Sequence, residues 1–145
     1  MNEQLVQIVR AVFCSQGRVL LILENFPDGG GNYWIPPGGK VEVGKGESEF
    51  RAIHRELLEE LGLSRLSLQS MGAELRPYCF LTGPGFKGSK LEVQHFICLI
   101  EKPFEPKLLD RQLEARWVSE PPSGGIVGEI TMALFARLRS DGYLK

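Results

Sequence analysis

Residues 38–63 read G-G-K-V-E-V-G-K-G-E-S-E-F-R-A-I-H-R-E-L-L-E-E-L-G-L. A glycine-rich start runs into a segment whose apolar residues, Phe50, Ile53, Leu57 and Leu61, recur at helical spacing. At one residue per 100°, Glu60 lies about 40° to one side of Glu56, and Glu59 lies about 60° to the other. The three carboxylates share an arc of roughly 100° beside the apolar stripe. Like charges at these spacings repel, and Glu59 and Glu60 stand near the helix C-terminus, which disfavours anions. Gly62 reads as the helix stop. Two readings of the acidic stripe stand side by side. It is a solvated face with Arg51 reaching Glu47 and Arg55 reaching Glu59, or it holds a hard divalent cation, which prefers carboxylate oxygens.

The loop before the helix favours the second reading. Pro36, Pro37, Gly38 and Gly39 end a strand and permit backbone close to a phosphate. The stretch resembles the Nudix box: a glycine, a later glutamate, then Arg-Glu-apolar-x-Glu-Glu-x-Gly-apolar. The matching residues are Gly39, Glu47, Arg55, Glu56, Leu57, Glu59, Glu60, Gly62 and Leu63. Seven residues, Lys40 to Gly46, separate Gly39 from Glu47, where the family usually has five.

The resemblance implies an α/β fold, an α/β/α sandwich around a mixed β-sheet, with residues 1–145 as a single domain. It implies Mg²⁺-dependent hydrolysis of a phosphoanhydride in a nucleoside diphosphate linked to another group, with Mn²⁺ able to substitute. Glu56, Glu59 and Glu60 are the implied metal ligands, with the Gly39 carbonyl as a further one. Arg55 orients a box glutamate, and Glu47 lies near the metal cluster. Glu101 or Glu114 is the candidate for a further carboxylate from a late strand. The implied substrates are nucleoside triphosphates or small nucleotide conjugates. ADP-ribose, nucleotide sugars and dinucleoside polyphosphates are the alternatives, and a non-catalytic nucleotide-sensing or protein-binding domain is the alternative of another class. A homodimer is implied by analogy.

Composition agrees with a globular domain: 145 residues, 43% hydrophobic and 24% charged. A net charge of −1 gives no bulk attraction for nucleic-acid polymers or anionic membranes, so phosphate recognition must be local. Cys14, Cys79 and Cys98 lack metal-ligand spacing and sit among apolar neighbours, the pattern of buried thiols in a cytoplasmic protein. Neither a signal peptide nor a membrane span is expected.

Outside the box, Gln4–Cys14 and Arg18–Leu23 read as a hairpin around Ser15-Gln16-Gly17. Tyr33–Ile35 reads as a short strand, with Trp34 either stacking on a base or packing the loop. Lys40–Val43 is expected as a brief strand. Leu66–Pro77 is expected to contain a strand, with 78–81 continuing or following it and Phe80 a substrate candidate. Residues 82–90, TGPGFKGSK, read as a glycine-rich loop that carries Lys87, either a lid touching substrate or a plain hairpin loop. Residues 91–100 and 113–118 read as strands and 126–139 as a helix. His54 and His95 are expected to be packed or surface histidines.

Overall fold

The computed structural model describes residues 4–145. Seven strands form one mixed sheet: β1 (Leu5–Ser15), β2 (Arg18–Phe26), β3 (Gly31–Ile35), β4 (Gly38–Lys40), β5 (Arg76–Pro84), β6 (Lys90–Leu99) and β7 (Gln112–Val118). The order is β3-β2-β1-β6-β5, with β4 added beside β1 and β7 beside β2. Among the paired strands of the described residues, β1 and β6 run parallel, in register from Leu5↔Lys90 to Cys14↔Leu99, and the others run antiparallel. The helices are α1 (Glu49–Leu61), α2 (Arg65–Ser70) and α3 (Glu129–Ser140).

Strand alternation sends side chains to two faces. Val9, Ala11 and Phe13 of β1, with Leu20 and Ile22 of β2, pack under α1 and α2 against Ile53, Leu57, Leu61 and Leu68. Val12, Cys14, Leu21 and Leu23 pack on the other face against Leu134, Phe135 and Leu138 of α3. Helices on both faces of one mixed sheet make the α/β/α sandwich. Cys14, Cys79 and Cys98 are all buried and free.

Helix α1 is closed at both ends. The Ser48 hydroxyl accepts from Arg51 N–H at 3.2 Å. Gly62, at φ +67, donates to the Leu58 carbonyl, and Leu63 N–H reaches the Leu57 carbonyl at 3.1 Å.

Two of the elements expected from the sequence are displaced. The strand expected within 66–77 begins only at Arg76 and continues through 78–81, while residues 65–70 form α2. Ser64 accepts from Ser67 N–H while the Ser67 hydroxyl accepts from Ser64 N–H, so a capping box starts a helix there. The brief strand expected at 40–43 lies instead at Gly38–Lys40, antiparallel to β1, and Val43–Lys45 is a 3-10 turn.

His95 lies on β6 beside Arg10 of β1, 1% exposed, with Nδ1 at 3.3 Å from the Cys79 carbonyl oxygen. Burial first, and then the Arg10 charge, lower its pKa from 6.5 to about 4. The unfolded chain therefore takes up this proton before the folded one does. Stability present above pH ~6.5 is lost as pH falls towards ~4, by up to about 3 kcal/mol. Urea melts at pH 7 and pH 4.5 check this: His95→Gln should flatten the fall, and an unchanged slope would assign the acid sensitivity to the carboxylates alone.

Candidate active site

The acidic groups of α1 separate by burial. Glu60 is 5% exposed, Glu56 is largely covered, and the Glu59 side chain is 57% exposed. Helix α1 lies against β4, and the Glu56 carboxylate rests on the Gly39 backbone. A Cβ at Gly39 would stand 2.5 Å from Glu56 Cδ and Oε1. A side chain at Gly39 would push the Glu56 carboxylate aside, so glycine here serves close approach rather than backbone angle.

Arg55 ties the cluster together. Its Nε donates to Glu47 Oε2 at 2.7 Å and its NH2 to Glu47 Oε1 at 3.0 Å, a paired bond. NH1 donates to Glu56 Oε1 at 3.0 Å and Glu59 Oε2 at 3.3 Å, and NH2 also reaches the Lys40 carbonyl at 3.0 Å. Glu47 accepts Glu42 N–H as well, at 2.9 Å. The Arg55 hydrogen bonds lead the causes that depress the Glu47 pKa to about 2. With both oxygens engaged and its basicity lowered, Glu47 braces Arg55 and the loop. Among the described residues Arg51 forms no ion pair, and Arg55 takes the partner that spacing had offered to Arg51.

Two functional candidates escape a reading by spacing. Glu24 of β2 is 6% exposed and Gln112 of β7 is 7% exposed. Gln112 Nε2 donates to Glu60 Oε2 at 3.0 Å and to Glu24 Oε1 at 3.3 Å, while its Oε1 accepts from Asp110 N–H. The register between β2 and β7 shifts between Leu23 and Glu24, so that Gln112 rather than Leu113 stands opposite Glu24. This bulge turns Gln112 onto the α1 face, against the alternation of Leu113, Ala115 and Trp117. Glu24 did carry a signal. It continues the inward phase of Leu20 and Ile22, and an acid at a core position calls for a partner.

Arg10 is the cation facing this group, its charge favoured by Glu60, Glu24 and Glu56 and opposed most by burial. The Glu60 pKa is raised well above the carboxylate range, first by burial and then by the neighbouring Glu56 carboxylate. Glu24 is raised by burial, with Arg10 and Gln112 pulling it back. Once ionised, Glu24, Glu47, Glu56, Glu59 and Glu60 outnumber the two arginines that face them, Arg10 and Arg55, and leave an excess of negative charge. That is the electrostatics, and oxygen is the donor chemistry, of a hard-cation site. Among the described residues no three His, Cys, Asp or Glu side chains converge on one point; Arg55 bonds Glu56 and Glu59, and Gln112 bonds Glu60 and Glu24. The donor set fits a divalent ion by chemistry and charge.

The remaining candidates lie elsewhere. Glu101 is exposed beyond the end of β6, where its carbonyl accepts from Gln16 Nε2. Glu114 stands opposite Leu23 on the face away from α1 and pairs with Arg116. Trp34 is 0% exposed, with Nε1 donating to the Ser123 carbonyl at 3.1 Å and Arg116 over its ring. Phe80 is 54% exposed on β5, opposite Gln94 of β6. Lys87 sits in the 86–88 turn at φ +55.

A family model described as the NUDIX domain matches residues 5–121. The chain belongs to the Nudix family. Nudix hydrolases generally use divalent metal ions and are pyrophosphohydrolases, and members act on small nucleotide substrates. No curated protein matches the chain in sequence. The fold recurs in solved structures. The MutT protein from Methanosarcina mazei Go1 has TM-score 0.75 at 21% identity, over 97% of each chain. A MutT Nudix hydrolase from Burkholderia pseudomallei has TM-score 0.66 at 23% identity, over 94% of this chain and 99% of that one. An Ap4A hydrolase of C. elegans has TM-score 0.61 at 21% identity, over 77% and 78%. At these identities the likeness carries the fold alone. No helix among the described residues of this Nudix protein is long and apolar enough to cross a membrane.

Proposed function

We infer that the chain is a Mg²⁺-dependent nucleotide pyrophosphohydrolase, with Mn²⁺ as a working substitute, acting on nucleoside triphosphates or small nucleoside diphosphate conjugates. The observation that supports this best is the excess of buried carboxylate where α1 crosses Gly39. Glu56, Glu60 and Glu59 would hold the metal, with the Gly39 carbonyl as a further donor. When bound, a divalent ion there neutralises diphosphate charge and acidifies a bound water. Arg55 fixes Glu56 and Glu59 by hydrogen bonds, and Glu47 fixes Arg55 in turn. Gln112 fixes Glu60. Glu59, solvent-facing and held by one Arg55 bond, would complete the metal set on its open side. Glu24 and Arg10 set the charge behind Glu60. Three buried free thiols fit a reducing cytoplasm.

The test is phosphate release from canonical and 8-oxo deoxynucleoside triphosphates, ADP-ribose, nucleotide sugars and Ap4A, each with Mg²⁺ and with EDTA. Turnover of a triphosphate or small conjugate that EDTA abolishes is the expected result. Preference for ADP-ribose, nucleotide sugars or Ap4A would move the substrate class. Silence across the panel, from folded protein at saturating Mg²⁺, would overturn the assignment.

A further inference from the structure

Three aromatic rings stand beside the acidic site without a part in its chemistry. Phe26 ends β2, Tyr33 lies on β3, and Phe86 belongs to the turn between β5 and β6. Their centroids are mutually close: 5.8 Å for Phe26–Tyr33, 5.7 Å for Phe26–Phe86 and 5.6 Å for Tyr33–Phe86. Register fixes where they are. Glu24 pairs with Tyr33 across the two strands, and Phe26 follows Glu24 by two residues. Directly paired residues share a face, as do residues two apart along a strand. Tyr33 therefore stands beside Glu24 on the face that carries Glu60, Phe26 lies about 7 Å further along β2, and Phe86 packs on both.

The cluster is built from two loops that meet. The Tyr33 hydroxyl donates to the Gly29 carbonyl at 3.0 Å, which ties the 27–29 turn to β3. Phe86 reaches across from the other turn and lies on Gly29, where a Cβ would overlap its ring. Lys87 beside it holds φ +55, a conformation disfavoured for residues other than glycine, so the turn is held in a costly shape while Phe86 crosses the gap. Phe86 nevertheless stays 42% exposed, and Tyr33 and Phe26 are only partly covered. An apolar ring cluster that remains open at the rim of an acidic site is a surface for a flat apolar partner.

We propose that Phe86, with Tyr33 and Phe26, forms the stacking platform for the substrate's nucleobase, while the phosphates lie towards Glu56 and Glu60. The inference rests on the nucleotide reading above and adds its base selectivity. Stacking uses the π face that every base presents, so the platform tolerates all bases and favours the larger purines.

The test is calorimetric titration with GMP, CMP and ribose 5-phosphate in Mg²⁺, on the full chain and three variants. Wild type should bind GMP more tightly than CMP, and ribose 5-phosphate at least 10-fold more weakly than GMP. Phe86→Leu removes the ring, and Gly29→Ala displaces it without touching it. Each should weaken GMP about 5- to 100-fold and leave ribose 5-phosphate unchanged. Phe86→Trp should retain GMP binding. Equal wild-type affinity for GMP and ribose 5-phosphate would overturn the platform, as would full GMP binding in both Phe86→Leu and Gly29→Ala. Hydrolysis assayed alongside separates the two claims. GMP binding that depends on Phe86 in a protein that hydrolyses no nucleotide overturns the enzymatic reading and leaves the platform standing.

Discussion

Glu60→Gln is expected to lower kcat about 100-fold or more at saturating Mg²⁺ while the protein stays folded. The amide keeps the size of the side chain and can still meet Gln112, but it gives up the charge. Loss of a group that only orients a metal ligand costs 10- to 100-fold, so loss of the ligand should reach or exceed the upper end. The same variant has a second signature. Burial and Glu56 raise the Glu60 pKa in the folded chain above its unfolded value. The folded, metal-free protein therefore holds a proton that the unfolded chain releases in the ordinary carboxylate range. The corresponding stability is complete below that range and is lost as pH rises through the folded pKa. Above about pH 6.5, where the opposing His95 contribution is complete, metal-free wild type should melt at progressively lower temperature as pH rises, and Mg²⁺ should restore it at neutral pH by binding the ionised form. In Glu60→Gln both the slope and most of the Mg²⁺ effect should shrink. Near-normal turnover in the variant would remove Glu60 from the metal set. A lost rate with an intact Mg²⁺ shift would place the ion on Glu56 and Glu59 instead.

The spacing of Glu56, Glu59 and Glu60 puts them on one arc of α1, and the helix is there with its cap at Ser48 and stop at Gly62. Helical angle says nothing about depth. Whether a carboxylate of that arc is covered or open depends on what lies across from it, and the residues across from Glu60 come from β2 and β7, more than thirty residues away on either side. Gln112 was least legible of all. Regular alternation assigns it to the face of Glu114, and only the bulge beside Leu23 turns it over. Trp34 shows the complementary case. The letters allow a base-stacking tryptophan, but pairing of Leu23 with Trp34 commits that ring to the α3 face, and the partner strand's next polar pair, Glu24 and Tyr33, brings tyrosine to the site instead. Helix α2 runs against its leucines at 66 and 68, whose spacing of two is that of a strand: in the helix Leu68 is buried and Leu66 is exposed, and the deciding feature is the Ser64–Ser67 reciprocal bond.

Gly38→Ala should carry the largest stability loss of any single methyl addition in the loop, about 3 kcal/mol or more, and activity should fall with it. Gly38 stands at φ +152, outside the usual range of L side chains. Its Cβ would enter the Val9 carbonyl oxygen and lie 2.9 Å from Arg10 Cα. These are backbone atoms of β1, which is locked in register to β6 over ten residue pairs. A flexible neighbour could step aside, but this one cannot move without loosening the middle of the sheet. The clash adds to backbone strain of about 1–3 kcal/mol. At roughly 3 °C per kcal/mol, the melting temperature should drop by about 10 °C. Gly44→Ala is the internal control. That glycine has open space around its Cβ and an ordinary φ, so the change should be neutral or slightly stabilising. If Gly38→Ala melted like Gly44→Ala, β4 could not be seated on β1 as described. The placement of Gly39 under Glu56, which depends on that seating, would fall with it.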